Sequence, residues 1–437
     1  MLQRARSLEH EKSAETVKSF PTREGTSLPA ESISAVTSPA YVRNQCVRIV
    51  PIVDTGVTAF RVDAPIRGVG LRRTVVKSNA APKTFEILRG LADEPEHNFS
   101  AELLEFNAIK RLGLLVPVEQ APERVAFACT LPNDSGERVR STAIRPEAAD
   151  GWSVNPETRI QSKSDAFAAA SELWRRVAML GKHEIVWVQD PCRRVKLPYW
   201  LNDLEATYAR QLISGALLPK DLRVGIRSKF ADIGLIYPTR WVTHSRRTWS
   251  AKFNNARRNI SHRGYAVLRD LIPPVFAQGL RRYYRNLVTE GFLVLGDHQA
   301  MRYNLHNEPF SFWLHRYTER FIGRAIPEPI KSSYSYVAAY LPGAILGRHT
   351  DRVQCEYTVS LSIDAISDVP APKPWPLYLE LPSGKVVRVI LEPGDALVFK
   401  GRELPHFRPQ LRESCSSTSL LFHYVQSDYE GPLLAAL

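Results

Sequence analysis

The chain has 437 residues, more than one ordinary domain at roughly 150 residues each. Lys and Arg number 58 against 45 Asp and Glu, a formal net charge of +13, which points to an anionic partner without saying which kind. A hydrophobic fraction of 44% excludes a wholly disordered chain. The five cysteines, at 46, 129, 192, 355 and 415, are odd in number, scattered and without a CxxC pair. That argues against a disulfide framework or a Cys-rich zinc site and fits a reducing compartment. There is no apolar run of membrane-spanning length, and the first twenty residues lack the apolar core of a secretory signal. No membrane span is expected, and the default location is the cytoplasm.

Residues 1–40 are rich in Ser, Thr, Glu, Lys and Pro with no sustained apolar period, and are expected to be a disordered arm. VRIVPIV (47–53) and VTAFRVDA (57–64), split by Asp54-Thr55-Gly56, predict a hairpin. From Thr84 to Val116 the apolar spacing is helical: Phe85, Ile87, Leu88 and Leu91 form one face, and Leu103, Leu104, Phe106, Ile109 and Leu112 a second. Residues 86–117 and 211–238 share a pattern. Each has a Leu/Ile pair before a glycine (Gly90, Gly215), a helix, and a closing Gly-Leu-Leu/Ile-x-Pro at Gly113–Pro117 and Gly234–Pro238. Residues 145–164 have linker composition, and an amphipathic helix is expected over about 165–180.

This pattern resembles small winged-helix modules, in particular the PqqD-like domains that recognise precursor peptides. The resemblance implies modules over 41–125 and 126–245, the second including the linker. Two generic helix pairs are the plainer alternative. The stretch 240–263 holds Arg240, Arg246, Arg247, Lys252, Arg257, Arg258 and Arg263, with no acidic residue, and Trp241, Trp249 and Phe253 interleaved. It fits a solvated helix face with inward aromatics, a nucleic-acid contact, or a docking face for an acidic peptide.

From Ser332 the rhythm changes to short apolar runs broken by Pro, Gly and Asp. Strands are expected at 333–341, 354–363, 375–381, 385–392, 395–401 and 417–425. In 354–363, Tyr357, Val359, Leu361 and Ile363 share one face. The overall class is therefore α+β, with a mainly helical N-terminal half and an antiparallel sandwich or barrel over 246–437. Two polar triplets interrupt the apolar runs: His349-Thr350-Asp351 and Leu404-Pro405-His406. In extended chain His349 and Asp351 point to one side. Two His and one carboxylate form a facial triad that leaves open coordination positions, as non-haem Fe(II) oxygenases require.

YLPGAILGRHTDRVQCEYTVSLSI followed by EPGDALVFKGRELPHFR resembles the Fe(II)/2-oxoglutarate dioxygenases. The resemblance is direct over about 332–426 and weaker back to Gly264. It implies a double-stranded β-helix (jelly-roll) core, Fe(II) held by His349, Asp351 and His406, and 2-oxoglutarate as co-substrate. The expected outcome is hydroxylation of a C–H, with succinate and CO₂ as co-products. Where many members carry a basic residue about ten positions after the distal His, this chain has Ser416. Arg408, two residues after His406, is the first choice to hold the far carboxylate, with Arg412 and Arg402 as alternatives. Tyr340 and Ser419 are candidate partners of the same carboxylate, each with a core or loop role as the plainer reading. Arg352 is a candidate to orient the Asp351 carboxylate. His298, His306 and His315 are candidate pocket residues with structural roles as the commoner outcome, His423 is assigned a structural role, and Trp375 and Tyr378 are candidate pocket walls. A peptide or protein substrate is expected. The rivals are a nucleic-acid dioxygenase using 240–263, and a non-catalytic DNA-binding protein with a ligand-sensing, cupin-like barrel.

Overall fold

The computed structural model describes residues 41–54, 57–93, 103–132, 151–161, 184–191, 193–239, 241–297, 299–367 and 374–433. The expected arm (1–40), the helix at 165–180, His298 and Arg240 lie outside them. The chain begins with β1 (Tyr41–Arg43), then a meander of β2 (Arg48–Asp54), β3 (Val57–Ile66) and β4 (Gly70–Lys77). Helices α1 (Pro82–Asp93) and α2 (Leu103–Leu112) follow, and β5 (Leu115–Pro117) returns to pair antiparallel with β1. The small core joins sheet to helices: Phe60, Val62 and Val76 pack with Phe85, Leu88, Leu91, Ile109 and Leu112.

The same plan then repeats. A short strand β6 (Trp152–Val154) precedes the meander β7 (Arg159–Gln161), β8 (Glu184–Gln189) and β9 (Lys196–Leu201). Helices α3 (Asp203–Ser214) and α4 (Val224–Asp232) follow, and β10 (Ile236–Pro238) pairs back onto β6. The registers correspond: Tyr41 faces Pro117 as Trp152 faces Pro238, and Arg43 faces Leu115 as Val154 faces Ile236. Each copy is tied by a buried asparagine. Asn44 Nδ2 donates to Pro65 O (2.8 Å) and Gly113 O (3.0 Å), and its side-chain oxygen accepts from Cys46 N. Asn155 Nδ2 donates to Gln189 O (2.8 Å) and Gly234 O (2.9 Å), and its oxygen accepts from Glu157 N. Gly113 and Gly234 hold φ of +78° and +76°, the left-handed turn that lets the last strand leave its helix. The repeat noticed at 86–117 and 211–238 is thus the second half of a longer one. The expectation of a mainly helical N-terminal half misses its two three-stranded meanders.

Helix α5 (Trp241–Arg263) carries the basic stretch. Trp249, Phe253, Ala256 and Ile260 are buried on one face at helical spacing, and Phe321 closes over the two aromatic rings. Arg246, Arg247, Arg257, Arg258 and Arg263 stay exposed. The rest of the chain supplies β11 (Tyr265–Leu268), α6 (Pro274–Thr289), β12 (Val294–Leu295), β13 (Arg302–His306), α7 (Pro309–Ile322) and β14 (Ile330–Tyr340). Strands β15 (Leu346–His349), β16 (Tyr357–Ser367), β17 (Leu377–Glu380), β18 (Val386–Val389), β19 (Ala396–Phe399), β20 (His406–Arg408) and β21 (Cys415–Gln426) complete it. They form a seven-stranded sheet, β11-β19-β16-β21-β14-β13-β12, and a four-stranded sheet, β15-β20-β17-β18.

Strand alternation divides the large sheet into two faces. Tyr357, Val359, Leu361 and Ile363 of β16 and Leu420, Phe422 and Tyr424 of β21 join the core that contains α6 and α7. The residues between them turn the other way, toward the small sheet. The N-terminal copy is fastened to this half where the β3–β4 turn meets the end of α6: Gly68 N donates to Thr289 O and Leu71 N to Leu293 O. A side chain at Gly291 would strike the Ile66 backbone, so this junction requires a glycine. Among the described residues, no helix is long and apolar enough to cross a membrane.

Candidate metal centre and cosubstrate pocket

A cavity opens between the two sheets. Its walls include the alternate residues Tyr334, Tyr336 and Tyr340 of β14, Thr358 and Ser360 of β16, and Ser419, Leu421 and His423 of β21. The small sheet contributes His349 at the end of β15 and both His406 and Arg408 of β20. Ladder register sets their approach, since His349 pairs with His406 and Leu346 with Arg408. All six residues singled out from sequence as site candidates, His349, Asp351, His406, Arg408, Tyr340 and Ser419, line this cavity.

Hydrogen bonding fixes what the two imidazoles present. His349 Nδ1 lies 2.8 Å from Gly347 O, and His406 Nδ1 lies 3.0 Å from Leu404 O. A carbonyl only accepts, so each Nδ1 carries its proton and each Nε2 keeps a free lone pair. Both Nε2 atoms face Asp351 Oδ1, at 3.9 Å from His349 and 3.6 Å from His406. The other oxygen, Oδ2, accepts from the Thr358 hydroxyl at 2.6 Å. Asp351 is therefore turned with one oxygen toward the histidines and one held by the protein. Burial lowers the pKa of His406, which favours the neutral form a metal ligand needs. Gly401 makes the approach possible. A Cβ there would overlap Asp351 Oδ2 and lie 2.7 Å from both Cys355 O and Thr358 Oγ1.

Donor logic extends one residue further. Thr358 has a single proton, which goes to Asp351, so its 2.6 Å and 3.0 Å contacts differ in sense. His423 Nδ1–H donates to Thr358 Oγ1 at 3.0 Å. His423 thereby points a bare Nε2 into the cavity, and burial pushes its pKa down to about 4, so it is neutral. It lines the cavity in addition to the hydrogen-bonded structural position expected from sequence. Asp351 also belongs to a second trio with Cys355 and His423, with donor atoms within 4.8 Å of one another. That trio is the poorer cradle: burial drives the Cys355 thiol up to about 12, and Thr358 already bridges Asp351 and His423. The His349–Asp351–His406 set offers three converging ligand atoms, two imidazole nitrogens and one carboxylate oxygen, the donor chemistry of a hard-to-borderline divalent ion.

Arg408 is 6% exposed. Its Nη1 donates to Trp375 O at 2.6 Å, and its guanidinium lies over the Trp375 and Tyr340 rings at 4.8 and 6.0 Å. No carboxylate pairs with it among the described residues. The two alternatives fare differently: Arg402 is exposed and 3.5 Å from Glu356, and Arg412 is exposed. Tyr340 OH accepts from Arg302 Nη1 at 2.8 Å, and Arg302 is in turn paired to Asp297 at 2.6 Å. Asp297 also accepts from Tyr336 OH and two backbone amides, which hold its pKa down at about 2 despite partial burial.

Other sequence candidates separate clearly. Arg352 does not hold the Asp351 carboxylate, which is Thr358's task; it is exposed and lines the cavity. His306 lines the cavity too, whereas His315 is fully buried with Nε2 against His423 O. Trp375 packs on Arg408 without lining the cavity itself, while Tyr378 stacks on Phe407. Thr358, Arg302 and Asp297 were not anticipated. No sequence motif marks a strand threonine as a ligand's partner, but alternation from Ser419 to Leu421 to His423 did contain the signal for His423.

No protein-family model matches this chain, and no curated protein does. Solved structures similar to it include a prolyl-4-hydroxylase from Pseudomonas putida, at 16% identity and a TM-score of 0.34, covering 40% of this chain and 98% of that one. A Trichoplax adhaerens prolyl hydroxylase, in complex with a hypoxia inducible factor oxygen degradation domain peptide fragment, is 15% identical with a TM-score of 0.35. That likeness covers 40% of this chain and 90% of the hydroxylase. An oxidoreductase from Burkholderia pseudomallei, described as of the 2OG-Fe(II) oxygenase family, is 13% identical with a TM-score of 0.32, covering 39% and 89%.

Proposed function

We propose that the chain is an Fe(II)- and 2-oxoglutarate-dependent oxygenase with a double-stranded β-helix core, acting on a C–H of a peptide or protein. One observation carries the reading: a buried guanidinium with no carboxylate partner among the described residues lines the same cavity as three converging metal donors. Burying an unpaired charge costs several kcal/mol, so such a group implies an anion that arrives later. In this reading His349 Nε2, His406 Nε2 and Asp351 Oδ1 hold the metal. Arg408 takes the far carboxylate of 2-oxoglutarate, because its fork matches a carboxylate in a bidentate way. Tyr340 and Ser419 stand on the same wall as its neighbours. Thr358 keeps Asp351 from chelating with both oxygens, which leaves coordination positions free. Iron and 2-oxoglutarate, once bound, supply the oxidising chemistry, with succinate and CO₂ as co-products. The protein's share is to orient, to neutralise charge and to shield the cavity from water.

A peptide substrate is favoured by a difference between the two N-terminal copies. In the second, the outer edge of β9 is occupied: Trp200 N donates to Cys129 O, and Thr130 bridges Trp200 in parallel. In the first, β4 pairs with β3 on one side and meets Leu293 only at Leu71. The outward backbone groups of Arg73, Val75 and Lys77 remain available for an extended chain. The base-stacking half of a nucleic-acid reading finds less support, because Trp249 and Phe253 are buried. Anaerobic addition of Fe(II) and 2-oxoglutarate tests the core claim. A weak visible charge-transfer band is expected, absent in His349→Ala; no band, together with no succinate from any peptide pool, refutes it.

A further inference from the structure

The charged groups of the cavity do not balance. Asp297 and Arg302 neutralise each other, with Arg302 also bonded to Gln299 and Tyr340. Asp351 faces the metal-binding histidines and Arg408 faces the cosubstrate pocket. Three exposed arginines that do not line the cavity are each paired with a carboxylate: Arg348 with Glu380 at 2.7 Å, Arg402 with Glu356 at 3.5 Å, and Arg73 of β4 with Asp63 at 2.7 Å. Arg352 differs from them. It lines the cavity one residue after the metal-facing Asp351, is exposed, and its guanidinium has no ion pair or hydrogen bond among the described residues. Its charge nevertheless reaches inward, since it contributes, after burial, to depressing the pKa of both His306 and His423.

With a divalent metal and the 2-oxoglutarate dianion in place, those two charges cancel. The Asp351 and Arg408 charges cancel as well. One positive charge is left over on the cavity lining, that of Arg352. We propose that the substrate presents a carboxylate next to the oxidised position and that Arg352 pairs with it, making this arginine the specificity-determining residue. This rests on the oxygenase reading above and narrows its substrate to an acidic segment. An unpaired surface arginine is ordinary in itself. This one differs because it lines the same cavity as the three metal donors, together with His306 and Tyr334, Tyr336 and Tyr340 of β14. In that setting a carboxylate gains a charge-assisted fork contact that a carboxamide of equal size does not.

The experiment uses two probes that differ only in charge: an acetylated, amidated Gly-Asp-Gly tripeptide and its Gly-Asn-Gly counterpart. Each is titrated anaerobically into the full chain saturated with Fe(II) and 2-oxoglutarate, and binding is read as a perturbation of the visible band. The acidic probe is expected to bind about tenfold tighter than the neutral one. Arg352→Gln is expected to erase that difference and Arg352→Lys to restore most of it. Equal binding, no binding of either probe, or a preference that survives Arg352→Gln overturns the proposal while leaving the oxygenase reading intact. Absence of the band itself removes both, and is seen before any peptide is added.

Discussion

Arg408→Met separates a cosubstrate anchor from a structural arginine, because the two roles predict opposite signs for the stability of the ligand-free protein. The guanidinium is 6% exposed, and burial already lowers its pKa. Its compensation is one hydrogen bond to Trp375 O and contacts with two aromatic faces. The desolvation of such a charge costs several kcal/mol, of which a charged hydrogen bond and a cation–π contact recover about 2–4. Methionine fills a similar volume without the charge and leaves only Trp375 O unpaired, a loss of about 1 kcal/mol. The ligand-free variant is therefore expected to be more stable by about 1–2 kcal/mol, a rise in Tm of a few degrees for a chain of this size. Added 2-oxoglutarate at a hundredfold excess over its Kd stabilises the parent by about 2.7 kcal/mol, and the variant loses that shift. Thermal unfolding of both proteins, with Mn(II) and with or without 2-oxoglutarate, gives the four numbers required. A variant that unfolds earlier than the parent, yet still responds to 2-oxoglutarate, would show that Arg408 is a structural residue and that the anion site lies elsewhere.

Gly401→Ala places a methyl group against Asp351 Oδ2 and Thr358 Oγ1, so it should abolish stoichiometric metal binding by calorimetry while the fold persists by circular dichroism; unchanged binding would mean that Asp351 is not a ligand. Thr358→Val removes the hydroxyl that holds Asp351 and accepts from His423, and metal affinity is expected to fall about 10–100-fold. Full retention would show that Asp351 needs no such partner. His315 and His423 are buried with pKa values pushed down to about 3 and about 4 by desolvation. Because the unfolded chain then binds more protons, their contribution is complete above pH 6.5 and is lost as pH falls toward 4. Together they should cost about 4 kcal/mol between pH 7 and pH 5 in the metal-free protein. Urea midpoints that stay flat over that interval would contradict the burial of these imidazoles.

Much of the candidate site is legible because its elements are local in sequence. His349 and Asp351 are two residues apart, so an extended chain puts them on one side whatever the rest of the fold does. Arg408 follows from His406 by the same rule, and the Pro393-Gly394-Asp395 turn marks the strand that leads there. Asp395 accepts from the Glu392 and Asp270 amides, and Gly394 takes φ +95°, so those turn residues are each required by the backbone. Thr358 and His423 belong to a different class. They meet Asp351 only because β16 and β21 are neighbours in the large sheet, where Thr358 faces His423 in the ladder. Pairing over 65 residues is set by the whole sheet's order, which no local pattern contains. Arg302 was passed over for a similar reason, as its worth depends on β13 lying beside β14, opposite Tyr340.

The N-terminal repeat shows the same limit from the other side. The two halves that sequence comparison matched, 86–117 and 211–238, are the helical halves, where each apolar face repeats over many residues and survives substitution. The preceding meanders share the same order and return-strand register, yet they went unmatched because a strand pair constrains only alternation and the length of its turns. What persists across both copies is a pair of residues with backbone duties that no other type performs equally: an asparagine after the first strand, and a left-handed glycine before the last. Asn44 and Asn155 each join three stretches of chain that are otherwise held only by short strands, and each satisfies two carbonyls that the left-handed turn and the strand end would leave unpaired. A buried carbonyl without a donor costs about 1–3 kcal/mol, so each copy gains by keeping a side-chain donor at this position. The two copies differ at their edges: one strand edge is filled by the chain's own Cys129–Thr130 segment, and the other meets Leu293 only at Leu71. A fold duplicated for packing alone gains from closing both edges, since an open strand invites unwanted pairing. Leaving one open is the arrangement expected if that edge serves to pair with an extended substrate segment.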